Sequence, residues 1–322
     1  MKDLVLTIAE NYGLNQISLF FSSLRKVNQS CHIVLFYKNI QPKVIQKISR
    51  KFAVECVQYT KNRVDGSEYV GLQEGLNQIS GKVLSPNSLR YFFYHSYLQN
   101  HKDEYCTVIH SDVRDVFFQN DPFESIDSKN LYCFLENSKE TIGVNYYTQL
   151  WIRHAYGNDT LNTLASNSIS CSGFTGGSFE SMRNYFSLMT NEISQFENLG
   201  GLDQGIHNYL IYTSKIKDVR IIKDDSEMLS TISSHKPLSE IRLSKNNEVL
   251  NKDGNPVSVV HQYDRYWSLL WKYNKRAFFN KKIDYCKQFL LAIKKNKKVS
   301  RLYLSNLKSI FLDPMVKKYN WD

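Results

Sequence analysis

The chain has 322 residues, 42% of them hydrophobic and 13% aromatic, enough apolar side chain to fill the core of one large domain and far too much for a disordered chain. Its net charge of +10 is concentrated at one end: residues 272–322 hold 14 Lys or Arg against three Asp, a balance of +11, so the preceding 271 residues carry 10 − 11 = −1. That neutral body excludes a nucleic-acid partner, whose enzymes spread basic charge around their cleft.

Asp3 to Ala9 reads as a first strand, and Leu14 to Val27, with Ile17, Phe20, Phe21 and Leu24 on one face, as a helix. His32 to Tyr37 follows as a buried strand, Pro42 to Phe52 as a helix and Val54 to Tyr59 as a third strand. This alternation predicts an α/β fold with a Rossmann-type sheet and crossover helices. The turn after the first strand, Ala9-Glu-Asn-Tyr-Gly-Leu-Asn15, lacks the GxGxxG fingerprint, so NAD and FAD are not expected.

After a looser stretch, Lys61 to Ser85, a helix starts at Pro86 with aromatic residues on its inner face, and Tyr105 to His110 is a buried strand. Leu131 to Leu135 is strand-like, Tyr147 to Ala165 one or two helices, and Ser170 to Ser178 a small-residue loop leading into a helix, Glu180 to Phe196. A helix over Leu202 to Tyr212, strands at Val219 to Ile222 and Val257 to Val260, and helical pattern from Tyr266 onward complete the chain. The six scattered cysteines form no CxxC pair and read as reduced thiols. With no leader and no apolar stretch of membrane-spanning length, the expected location is cytoplasmic.

The chemistry concentrates at His110-Ser-Asp-Val-Arg-Asp-Val-Phe-Phe-Gln-Asn-Asp-Pro-Phe123, where Asp112 and Asp115 stand just past the central strand. Two carboxylates at a strand end suit a hard cation such as Mn²⁺ or Mg²⁺, which can neutralise the phosphates of a nucleotide leaving group. The plainer alternative is an Asp-rich turn in which Arg114 pairs with Asp115. A phosphatase DxDx[TV] motif fits less well, because the spacing here is DxxD.

This segment, with its apolar Val116-Phe-Phe118 and Asp121-Pro-Phe123 turn, resembles the metal-binding segment of GT-A glycosyltransferases. The family's motif is DxD; Asp112 takes the place of its last Asp and His110 that of its first, leaving Asp115 as a ligand or a neighbour of one. Three later segments resemble the same family in order. Cys171-Ser-Gly-Phe-Thr-Gly-Gly177, which alone is a glycine-rich turn, corresponds to a segment beside the donor sugar and contributes Gly173 and Gly176. Leu202-Asp-Gln-Gly-Ile-His-Asn208 resembles the D-Q-D-I-L-N segment of the retaining, glycogenin-like enzymes, which implies that Asp203 and Gln204 are the catalytic pair facing the donor sugar. Asp203 alone is an ordinary carboxylate at a helix start. His261 resembles the histidine that completes the family's metal site, with Asp264 and Arg265 near the diphosphate, although the family's H-x-x-G-x-x-K-P-W pattern is absent and a lone His at a strand end is commonly structural.

The resemblance implies a GT-A-like catalytic domain over 1–270 that binds a metal through Asp112, Asp115 and His261. Ala9, Asn11, Tyr12, Arg90, Ser111, Asp112 and Arg265 would contact the nucleoside diphosphate-sugar, with a glycan or lipid-linked acceptor. Residues 271–322 read as a basic helical extension with Ile283, Cys286, Leu290 and Ile293 at helical spacing, suited either to an anionic membrane surface or to packing on the domain. A sugar nucleotidyltransferase would share the sheet and the metal but needs an N-terminal glycine-rich signature that is missing here. A non-catalytic membrane- or polyanion-binding protein would use the tail alone.

Overall fold

The computed structural model describes residues 1–64, 67–72, 84–127, 129–197, 199–224, 226–232 and 236–283. β1 (Lys2–Glu10), α1 (Leu14–Val27), β2 (His32–Lys38), α2 (Pro42–Phe52) and β3 (Val54–Val64) follow the expected alternation, and β4 (Ser67–Leu72) folds back on β3. Then come α3 (Pro86–Asn100), β5 (Tyr105–Ser111), β6 (Val116–Phe118), β7 (Leu131–Leu135), α4 (Tyr146–Leu164), β8 (Ser170–Ser178), α5 (Phe179–Gln195) and α6 (Leu202–Tyr212). β9 (Val219–Ile222), β10 (Leu229–Thr231), β11 (Arg242–Leu243), β12 (Val249–Leu250), β13 (Val259–His261) and α7 (Trp267–Tyr273) close the series.

Eight strands form one mixed sheet in the order β4-β3-β2-β1-β5-β8-β7-β9. β1 runs parallel to both β2 and β5, while β8 lies antiparallel between β5 and β7. β5 and β7 therefore point the same way, and their carboxyl ends share one edge of the sheet. The two faces are covered by separate apolar layers. Leu4, Leu6 and Val108 meet the aromatic side of α3 and α5 on one face, while Val5, Ile33 and Ile109 meet Ile17, Phe20 and Phe21 of α1 on the other. The architecture is mixed α/β with helices flanking the sheet, compatible with a Rossmann-like fold.

A second sheet, β10-β13-β6, carries the site's other half. β13 pairs antiparallel with β6, placing His261 opposite Val116, and parallel with β10. Phe117, Val260, Leu269 and Phe278 form a further apolar cluster, so the first part of the segment expected to be an extension is buried against the body. Residues 284–322, including most of the basic tail, lie outside the described residues.

The largest departure from expectation is at Ser170–Ser178, a strand and not a loop. Its small residues are what a strand buried on both faces requires here: a Cβ on Gly177 would come 2.7 Å from the Asn130 carbonyl oxygen, and one on Gly176 2.8 Å from Ile126. Tertiary crowding overrides the weak strand preference of Gly and Ser. Residues 146–164 form one helical span broken at Gly157, whose φ is 79°.

Candidate functional site

Asp112 emerges directly after β5, and its backbone N–H donates to the Gly173 carbonyl at 2.7 Å, extending the β5–β8 pairing by one bond. Asp115 opens β6, and the Gln262 N–H donates to its carbonyl at 2.7 Å, which anchors the end of β13 beside it. These two attachments bring Asp112, Asp115 and His261 together, with one ligand atom from each lying within 4.8 Å of the others. This group could hold a metal ion. Asp115 is buried, His261 is 1% exposed, and Asp112 is half-buried and open to the cleft.

Gly173 makes the approach feasible: a Cβ there would fall 2.6 Å from Asp112 Oδ2 and 3.0 Å from the His261 ring. His261 Nε2 is buried with no hydrogen-bond partner and lies 3.7 Å from Asp112 Oδ2. Burial opposes ionisation of both groups. Even so, the charge of Arg90 and the contact with His261 hold the Asp112 carboxyl well below the usual range. His261 is raised above its ordinary value because Asp112 and Asp115 outweigh its burial. The site therefore draws positive charge toward the Nε2 atom, which with two hard oxygens is the donor set of an Mg²⁺- or Mn²⁺-type cation.

A cleft of about 250 Å³ opens over this group. Tyr12, Asp112, Asp115 and Arg265 line it, as do Glu10, Asn87 and Arg114. Arg265 reaches Asp115 at 3.3 Å and Asp264 at 2.8 Å, and Arg114 reaches Asp115 at 3.4 Å. Two guanidinium groups thus sit beside the carboxylates, a mixed pattern suited to an anion that arrives with a cation. Two larger depressions, about 610 and 570 Å³, lie away from these residues.

Arg90 is 2% exposed and works from beneath the cleft. Its Nη1 donates to Asp112 Oδ1, and its Nη2 donates to Asp203 Oδ2 at 3.0 Å and to the Ser172 carbonyl at 2.9 Å. Asp203 also accepts from Ser172 Oγ at 3.0 Å. Gln204 clamps β8, accepting from the Ser172 N–H at 2.7 Å and donating to the Ser170 carbonyl at 2.8 Å. Both α6 residues are buried against the strand that carries Gly173.

Other expected contact residues lie further off. Ala9 is in the core, Asn11 is exposed with a φ of 61°, Ser111 is buried with its hydroxyl on the Asp112 carbonyl, and Gly176 sits between Ile109 and Ile126. His110, which takes the place of the motif's first Asp, does not join the Asp112, Asp115 and His261 group: it is buried under α3 and α5, where its ring meets Tyr91, Tyr94, Tyr185 and Phe186.

Arg114 was visible within the acidic motif as a partner of Asp115. Glu10 and Asn87 carried no signal, since only the spatial convergence of β1 and α3 brings them to the cleft. Among the described residues, no helix is long and apolar enough to cross a membrane. No protein-family model matches the chain, and no curated protein matches it in sequence.

Proposed function

We propose that the protein is a GT-A-like glycosyltransferase that takes a nucleoside diphosphate-sugar as donor. The observation that carries this reading is the convergence of Asp112, Asp115 and His261 in a cleft flanked by Arg114 and Arg265. A divalent cation held there, Mn²⁺ or Mg²⁺, would neutralise charge on the diphosphate leaving group. Tyr12 and Arg265 bind and orient the nucleotide end. Asp203 acts from beneath the donor sugar, tied to Asp112 through Arg90, and Gln204 holds the strand beside it. Transfer with retention fits the Asp-Gln pair better than inversion, and the acceptor is a glycan or glycolipid of a surface polysaccharide. The basic tail draws the enzyme to an anionic membrane surface.

Calorimetric titration of the protein with UDP and GDP, with and without Mn²⁺, tests the donor site. Metal-dependent binding that Asp112→Asn weakens at least tenfold supports it; equal binding by wild type and variant, or none by either, removes it. Deleting 284–322 separates the rival reading: a transferase keeps its sugar-nucleotide hydrolysis, whereas a tail-borne binding protein loses its only activity.

A further inference from the structure

The two nitrogens of His261 meet different surroundings. Nε2 faces Asp112 without a hydrogen-bond partner, whereas Nδ1 lies 3.7 Å from the Cys171 sulfur. That sulfur is itself held: the Gly173 N–H donates to it at 3.3 Å, and burial together with the charge of the neighbouring Glu136 keeps the thiol protonated. A thiol turned toward Glu136 leaves its lone pairs for the Gly173 N–H and for a proton on Nδ1. A neutral imidazole carries only one ring proton, so an acceptor at Nδ1 fixes the lone pair on Nε2.

We propose that Cys171 is a positioning residue for the metal site, accepting the Nδ1 proton of His261 and so presenting the Nε2 lone pair to the ion between Asp112 and Asp115. Glu136, Cys171 and His261 form a chain in which a thiol stands between carboxylate and imidazole, doing what a carboxylate alone does in many histidine-metal sites. The proposal rests on the metal reading of the cleft, and its first readout needs no metal.

The experiment uses the full chain labelled with ¹⁵N-histidine, in alkaline buffer where imidazoles are neutral, with His261→Gln assigning the resonance. Long-range ¹H–¹⁵N spectra are expected to show the Nδ1–H tautomer in wild type and in Cys171→Ser, which keeps an acceptor, and a mixture in Cys171→Val, which lacks one. Mn²⁺ titration of the same proteins is expected to show binding about tenfold weaker for Cys171→Val and close to wild type for Cys171→Ser. An Nε2–H tautomer in wild type overturns the proposal, even if Cys171→Val does not fold. Unchanged tautomer and Mn²⁺ affinity in a folded Cys171→Val does the same. A chain that shows the expected tautomers but takes up no Mn²⁺ overturns the metal reading and leaves the tautomer assignment standing.

Discussion

Arg90 keeps its charge at 2% exposure because Asp112 and Asp203 face its guanidinium from two sides. Removing one member of such a set strands the others in a medium that solvates them poorly. Arg90→Leu is therefore expected to cost about 3–5 kcal/mol, seen as a lower melting temperature, with part of the loss recovered when Asp203→Asn is added. His207 offers a second check. It is fully buried between Ser170 Oγ at 2.9 Å and Tyr185 OH at 2.8 Å, and burial pushes its pKa down from 6.5 to about 3. The unfolded chain binds a proton there below pH 6.5 while the folded one does not until about pH 3. Stability is thus fully present above 6.5 and falls across that window on acidification, by on the order of a few kcal/mol. Denaturant unfolding from pH 7 to pH 4 is expected to show a shallower decline for His207→Gln than for wild type.

Helix α6 owes its position to two glycines that accept an indole. Gly201, at a φ of 87°, would place a Cβ 2.1 Å from the Trp151 ring, and Gly205 would place one 2.7 Å from the Trp151 Cβ. Gly201→Ala is expected to destabilise by about 2–4 kcal/mol, from backbone strain and overpacking together, and to cost less in a Trp151→Leu background, where only the strain persists. Thermal unfolding of the four proteins of that cycle measures the difference. The same dependence on neighbours decided which elements the sequence disclosed. α1 and α2 could be read because their apolar spacing records the face that each buries. β8 could not, since Ser170–Ser178 is small because of what crowds it, and smallness in isolation looks like a turn. β6 and β10, three residues each, are too short to show a period.

Across the whole molecule, the half of the site on β5 was legible because Asp112 and Asp115 are neighbours in sequence. His261 was singled out only through a resemblance, and Cys171 not as part of the site at all, because their places follow from the β13–β6 and β5–β8 pairings. Those pairings are long-range, and β13 ranks among the last strands to be made. A nascent chain that has left the ribosome as far as β10 already displays both carboxylates but has no imidazole to set between them, and no strand to hold Asp115 in place. Unfinished chains would then be unable to capture the ligand, and a ligand captured by the finished one would favour the folded ensemble by mass action. The concentration of whatever ligand the cleft takes would thereby become a term in how many newly synthesised molecules survive quality control.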